Sequence, residues 1–127
     1  MARILLAEDD EAVRRFVRRA LELDGHDIVE CTDGTMALQV LLASQEPFDL
    51  LLSDITMPEL DGIALAYAAH EAVPTLPIVL MTGYAERREV AAGLAAIVRV
   101  VVAKPFSLVE LRRQVGRVLA SIGCVAA

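Results

Sequence analysis

Asp49-Leu50-Leu51-Leu52-Ser53, running straight into Asp54, is the stretch that decides the fold. A short run with no polar alternation reads as a strand buried on both faces, the pattern of a parallel sheet covered by helices on either side. Strands of that kind alternate with helical crossovers, and the flanking sequence supplies both. Arg3 to Glu8, His26 to Cys31, Ile78 to Met81 and Ile97 to Ala103 are further β-type runs. Between them lie amphipathic segments. Glu11 to Leu23 sets Ala12, Val13, Phe16, Val17, Ala20 and Leu21 on one helical stripe with arginines opposite, and Asp24-Gly25 stops it. Asp33-Gly34-Thr35 opens a helix carrying Met36, Ala37, Val40 and Leu41 inward, and Pro47 marks its exit. A third helix runs from Ile63 to about His70, and Glu86 to Ala92 is weakly helical. Ser107 caps a final helix through Glu110, Leu111, Val115, Val118 and Leu119. Five β-then-α units with right-handed crossovers make an α/β fold, a doubly wound five-stranded parallel sheet with helices on both faces and strand order 2-1-3-4-5. One domain over residues 1–122 is expected, with 123–127 as a frayed tail.

Composition narrows the function classes. The chain has 127 residues, 56% of them hydrophobic, enough for one compact core and too apolar for intrinsic disorder. A formal charge of -6 argues against a nucleic-acid module that works by phosphate neutralisation, and the scattered aromatics offer no stacking platform for bases. No run reaches the length of a membrane span and the first residues meet Glu8 too early for a signal peptide, so no membrane insertion and a cytoplasmic location are expected. Cys31 and Cys124 lack metal-ligand spacing, and Cys31 reads as a small buried hydrophobe. Neither a dinucleotide-binding GxGxxG nor a GxxxxGK[ST] loop is present.

Doubly wound sheets bind ligands beyond the carboxyl ends of their strands. The residues placed there are Glu8, Asp9 and Asp10 after the first strand, Asp54 after the third, Thr82 after the fourth and Lys104 after the fifth. Taken singly, Asp9 or Asp10 reads most simply as a helix cap, and Thr82 as a turn hydroxyl. Together they meet the needs of phosphoryl transfer to a carboxylate. Asp9, Asp10 and Asp54 can hold a hard divalent cation, with Mg²⁺ favoured because it needs few carboxylates, retained waters and a phosphate oxygen. Asp54 then serves as nucleophile, with Lys104 and the cation neutralising the equatorial oxygens and Thr82 engaging one of them.

The set Glu8-Asp9-Asp10, Asp54 followed by Met57-Pro58-Glu59-Leu60-Asp61-Gly62, Thr82-Gly83 and Lys104-Pro105-Phe106 closely resembles the receiver domain of two-component response regulators. The resemblance runs from Arg3 to about Leu119. It implies that Asp54 accepts phosphate and that Asp9, Asp10 and the Thr56 carbonyl help to hold Mg²⁺. It further implies that Thr82 is the switch hydroxyl, that Lys104 contacts phosphate, and that the bond before Pro105 is cis. The implied donor is a histidine kinase or histidine phosphotransfer protein. The sequence departs from the pattern at the fifth strand, where Val101 stands in place of the usual aromatic. This leaves a smaller surface change, in which Thr82 moves toward the phosphate and draws Gly83, Tyr84 and the following helix with it. A stand-alone receiver acts through a partner, as a monomer or a phosphorylation-dependent dimer. The expected surface combines Glu86 to Val90, the Arg99 to Val102 edge and the helix around Ser107 to Arg113, where Arg112 and Arg113 could contact an acidic partner. Met1 to Asp10, Arg14-Arg15-Phe16, Gly25-His26, Pro58-Glu59 and Thr82-Gly83 are similar to alphaproteobacterial single-domain regulators of substrate delivery to the Clp protease, which implies that machinery as a downstream partner. The alternatives are a constitutive interaction module and a small phosphatase with an aspartyl intermediate.

Overall fold

A computed structural model describes residues 2–83 and 96–122. The strands are β1 (Arg3–Ala7), β2 (Asp27–Cys31), β3 (Leu50–Asp54), β4 (Ile78–Thr82) and β5 (Val100–Ala103). The helices are α1 (Glu11–Glu22), α2 (Gly34–Ala43), α3 (Gly62–Ala72) and α4 (Leu108–Ser121). The strands are parallel throughout and lie in the order β2-β1-β3-β4-β5, as the sequence predicts. The weak helical expectation at Glu86 to Ala92, along with Tyr84 and Cys124, lies outside the described residues.

Strand alternation divides the core into two layers. Leu5, Ala7, Leu51, Ile78 and Leu80 face α2 and α3, where they meet Ala37, Leu41, Leu65 and Ala69. Ile4, Leu6, Leu50, Leu52, Val79, Met81 and Val102 face α1 and α4, where they meet Val17, Leu21, Leu111 and Val115. Every residue of β3 and β4 is buried, so these two strands are continuous apolar runs that end in polar residues.

Among the described residues, each helix starts on a side-chain cap. Asp10, Asp33, Asp61 and Ser107 accept hydrogen bonds from the backbone N–H groups of Val13, Met36, Ala64 and Glu110. Three expected inward residues are corrected, Ala12 being exposed in the first turn of α1. Phe16 and Met36 are about two-fifths exposed, at 40% and 41%. Phe16 leans instead toward Phe106, ring centroids 6.2 Å apart, and with Ala12, Val13 and Pro105 walls an apolar groove beside α1. Met36 lies in the first turn of α2, where only Ala37 and Leu41 of the expected stripe are fully covered.

The fifth strand is shorter than its apolar sequence implies. Regular pairing begins at Val100 opposite Val79, and the last bond toward the start of β4 runs from the Arg99 N–H to the Ile78 carbonyl at 2.8 Å, so Ile97 and Val98 precede the ladder. Ile97 and Val98 therefore pack against the α2–α3 layer as a turn rather than as strand.

Candidate functional site

The three strand ends that carry acid and amine share one face of the sheet. Glu8 continues the Ile4–Leu6 parity, Asp54 the Leu50–Leu52 parity, and Lys104 the Val100–Val102 parity, all on the α1–α4 side. Thr82 continues Ile78–Leu80 on the opposite side. Register brings them level: Asp54 pairs with Met81 and Thr82 with Ala103, and the Lys104 N–H donates to the Thr82 carbonyl at 2.8 Å.

Lys104 is the hub. Its Nζ lies 2.9 Å from Glu8 Oε1 and 3.1 Å from Asp54 Oδ1. Glu8 is wholly buried and Asp54 nearly so, while Asp9 is exposed. Carboxylate oxygens of Glu8, Asp9 and Asp54 come within 4.8 Å of one another, a hard-oxygen set suited to a divalent cation. The tightest cluster thus contains Glu8, whereas Asp10 caps α1 through Oδ1 at 3.1 Å from the Val13 N–H. Asp10 and Thr56 still line the same cavity of about 460 Å³, together with Glu8, Asp9, Val13, Asp54, Gly83 and Lys104. The reason is local: Glu8 extends the inward parity of β1, and the chain has turned into the helix cap by Asp10. Strand alternation was the signal that picks Glu8 out of the three acids.

The charges are strongly coupled to burial. Desolvation pushes the Glu8 carboxyl up to about 6, against the hydrogen bonds it accepts from Lys104 and from the Asp10 N–H. Burial also raises Asp54, opposed by the Lys104 charge and reinforced by Asp9. Burial alone would lower Lys104, but its hydrogen bond to Glu8 and the charges of Asp54 and Glu8 outweigh that, so its ammonium is held above the ordinary value. The result is a persistent cation against acids whose ionisation is costly, a pocket short of positive charge.

The backbone around Asp54 is fixed by a glycine. A Cβ at Gly62 would stand 2.1 Å from the Asp54 carbonyl oxygen and 2.8 Å from the Ile55 Cα, and the Gly62 N–H donates to the Ile55 carbonyl at 2.7 Å. The Asp61-Gly62 turn therefore seats α3 directly against the end of β3. The Lys104–Pro105 peptide bond is cis, as the resemblance implies. Val101 is half-buried against the α2–α3 layer. Arg112 and Arg113 are engaged within the chain, by Asp24 and Glu110 respectively, rather than presented free. Cys31 is a buried free thiol, pushed up to about 11 by desolvation, in keeping with its reading as a small hydrophobe.

Acids and a lysine at the strand ends of a 2-1-3-4-5 sheet match a family defined by this constellation: the response regulator receiver domain model covers residues 4–116, and the chain belongs to that family. It is accordingly a phosphoaspartate signalling switch whose donors are histidine kinases or phosphotransfer proteins, with no catalysis expected beyond its own phosphorylation and dephosphorylation. The acidic cluster is typical of the Mg²⁺ pocket of such domains.

Among individual relatives, the chain is similar to the response regulator receiver protein CpdR of Brucella abortus (strain 2308), at 43% identity over 119 residues, 94% of this chain and 98% of that protein. It is 38% identical over 109 residues to the response regulator MprA of Mycobacterium ulcerans (strain Agy99), covering 86% of this chain and 46% of that one. Of solved structures, TrrA from Thermotoga maritima in complex with Mg²⁺-BeF superposes with TM-score 0.84 at 28% identity, over 94% of this chain and 100% of that one. The receiver domain of the hybrid histidine kinase CckA gives 0.77 at 32% identity, over 92% and 98%. Among the described residues no helix is long and apolar enough to cross a membrane.

Proposed function

We propose that Asp54 takes a phosphoryl group from a phosphohistidine donor and that Lys104 grips the transferred group. The observation that carries this is the placement of Lys104 Nζ between Asp54 and Glu8, at 3.1 and 2.9 Å. In-line attack by an Asp54 oxygen on phosphorus forms the acyl phosphate as the bond to the donor imidazole nitrogen breaks, and the imidazole leaves. Lys104 neutralises oxygens of the transferring group, and Thr82, which ends β4 on the other side of the sheet, donates to one of them after its side chain turns toward the cavity. Glu8, Asp9 and Asp54 would hold Mg²⁺, with Asp10 and the Thr56 backbone at the rim of the same cavity. Bound there, the cation supplies charge neutralisation and orients a phosphate oxygen.

The finer reading of output is a protein partner in the Clp protease machinery. It is supported by the similarity to CpdR over nearly the whole of both chains and by the match at the N-terminal stretch. A domain spanning residues 1–122 and a cytoplasmic location belong to the same reading. The deciding experiment is labelling with acetyl phosphate and Mg²⁺, read by intact mass, followed by partner capture with and without the donor. A single phosphoryl adduct on wild type, absent in Asp54→Asn, is expected. Equal labelling of both proteins, or identical capture in all conditions, refutes the switch and leaves the constitutive interaction module. Sustained phosphate release from a small phosphoester would favour the phosphatase.

A further inference from the structure

We infer that Arg14 and Glu30 form a positioning pair that sets the acid loop from behind and so tunes its hold on a divalent cation. The inference rests on the cation reading above, and it concerns residues that touch neither the cation cavity nor Asp54. Arg14, in the second turn of α1, is largely covered, with 16% of its side chain exposed, and donates through Nη1 to the backbone carbonyl of Glu8 at 2.9 Å. Its Nε faces Glu30 Oε1 of β2 at 3.5 Å. Glu30 is in turn held by Arg18, itself paired with Glu22 at 3.1 Å.

The geometry makes Glu8 a residue gripped at every polar group. Its N–H donates to the Cys31 carbonyl at 3.1 Å, its carbonyl accepts from Arg14, and its carboxylate takes Lys104 on one oxygen and the Asp10 N–H on the other. Of these contacts, the Arg14 bond is the one made by a charged side chain outside the cavity. Three acids forced within 4.8 Å repel one another, and their ordinary response is to splay. A guanidinium fixed on the Glu8 carbonyl opposes that movement, and adds a positive charge behind the loop. Glu30 has no direct contact with the acids, so its influence is exerted through Arg14. Arginine suits the task because its planar fork reaches a carbonyl and a carboxylate with different nitrogens, which a lysine ammonium does not do in one fixed geometry.

Partners that orient metal ligands are commonly worth 10- to 100-fold in metal affinity. The test is titration of ¹⁵N-labelled protein with MgCl₂, following amide shifts of the acid loop, alongside urea denaturation in EDTA. Arg14→Met is expected to weaken Mg²⁺ binding by about tenfold or more, and Glu30→Gln by less. Arg14→Lys should recover part of the loss. The double variant should bind no more weakly than Arg14→Met alone, since Glu30 acts through Arg14. In labelling with acetyl phosphate, the Mg²⁺ concentration for half-maximal rate should rise while the rate at saturating Mg²⁺ stays within about twofold. Wild-type affinity in Glu30→Gln and Arg14→Lys together, or full additivity in the double variant, overturns the inference. If Arg14→Met fails to fold, Glu30→Gln and Arg14→Lys decide it. Failure of the underlying reading looks different: wild type itself would then bind no Mg²⁺, or would take no label on Asp54.

Discussion

Replacing Gly62 by alanine puts a methyl group where backbone already stands. The new Cβ would lie 2.1 Å from the Asp54 carbonyl oxygen, 2.8 Å from the Ile55 Cα and 2.9 Å from the Asp54 carbonyl carbon. None of these atoms belongs to a flexible side chain, so α3 or the end of β3 has to shift by roughly an ångström to restore contact distance. Overpacking of this kind costs about 1–3 kcal/mol, against which the helix preference of alanine over glycine returns at most ~1 kcal/mol. A net loss of about 1–2 kcal/mol is expected. The chemical effect should be larger, because the displaced backbone carries the proposed acceptor carboxylate, and a misplacement near 1 Å costs on the order of 100-fold in rate. Gly116→Ala is the internal control. An added Cβ there meets nothing within 4 Å, on an exposed position of α4, so it should stabilise by about 0.5–1 kcal/mol and leave labelling unchanged. Urea denaturation at fixed m-value and the initial rate of acetyl-phosphate labelling measure both quantities. If Gly62→Ala matches wild type in midpoint and labels at the same rate, the contact between α3 and Asp54 does not position the site.

Other perturbations follow from the same geometry. Lys104→Met leaves Glu8 and Asp54 without their shared cation; labelling at saturating Mg²⁺ should drop by about 10²-fold, and wild-type rates would rule out Lys104 as the group that neutralises the transferring phosphoryl. In EDTA, Glu8 favours its protonated form in the fold up to about pH 6 against 4.5 unfolded, so its penalty is absent below pH 4.5 and complete above 6. Stability should fall by up to about 2 kcal/mol across that window relative to Glu8→Gln, and parallel pH curves for the two proteins would contradict it. His26 is buried, with Nδ1 accepting from the Ala2 N–H at 3.1 Å, and burial lowers its pKa despite Asp24 and Asp49. Its contribution is therefore complete above 6.5 and lost as pH falls through the lowered value, so the wild-type midpoint should decline relative to His26→Asn between pH 7.5 and 5.5. With Cys124 replaced by serine, Cys31 should resist a thiol reagent in the native protein and react promptly in urea, and rapid native reaction would show that its cover opens.

Sheet and site differed in how far the amino-acid order exposed them. The sheet was legible because β3 and β4 are buried on both faces, so their residues are selected for apolarity without alternation. Asp54, Thr82 and Lys104 were legible because they are the polar residues that end such runs. The limits lay where a one-dimensional pattern has no information about partners. Phe16 falls on the apolar stripe of α1, but only the third dimension shows that Phe106 stands beside it and leaves it half in solvent. Ile97 and Val98 are β-branched, yet they precede the first residue pair of β4 and β5 and pack as a turn. Among Glu8, Asp9 and Asp10, helix capping and cation holding demand the same side-chain chemistry, and it is the parity of β1 that separates them.

Gly34 repeats the arrangement seen at Gly62: a Cβ there would meet the Leu60 carbonyl oxygen at 2.1 Å. The starts of α2 and α3, the loop after β3 and the end of β3 are therefore locked backbone to backbone, with no side chain between them to act as a bearing. Solid contact of this sort transmits force without yielding. That part of the molecule serves as a chassis that holds the Asp54 carboxylate in place against its neighbours.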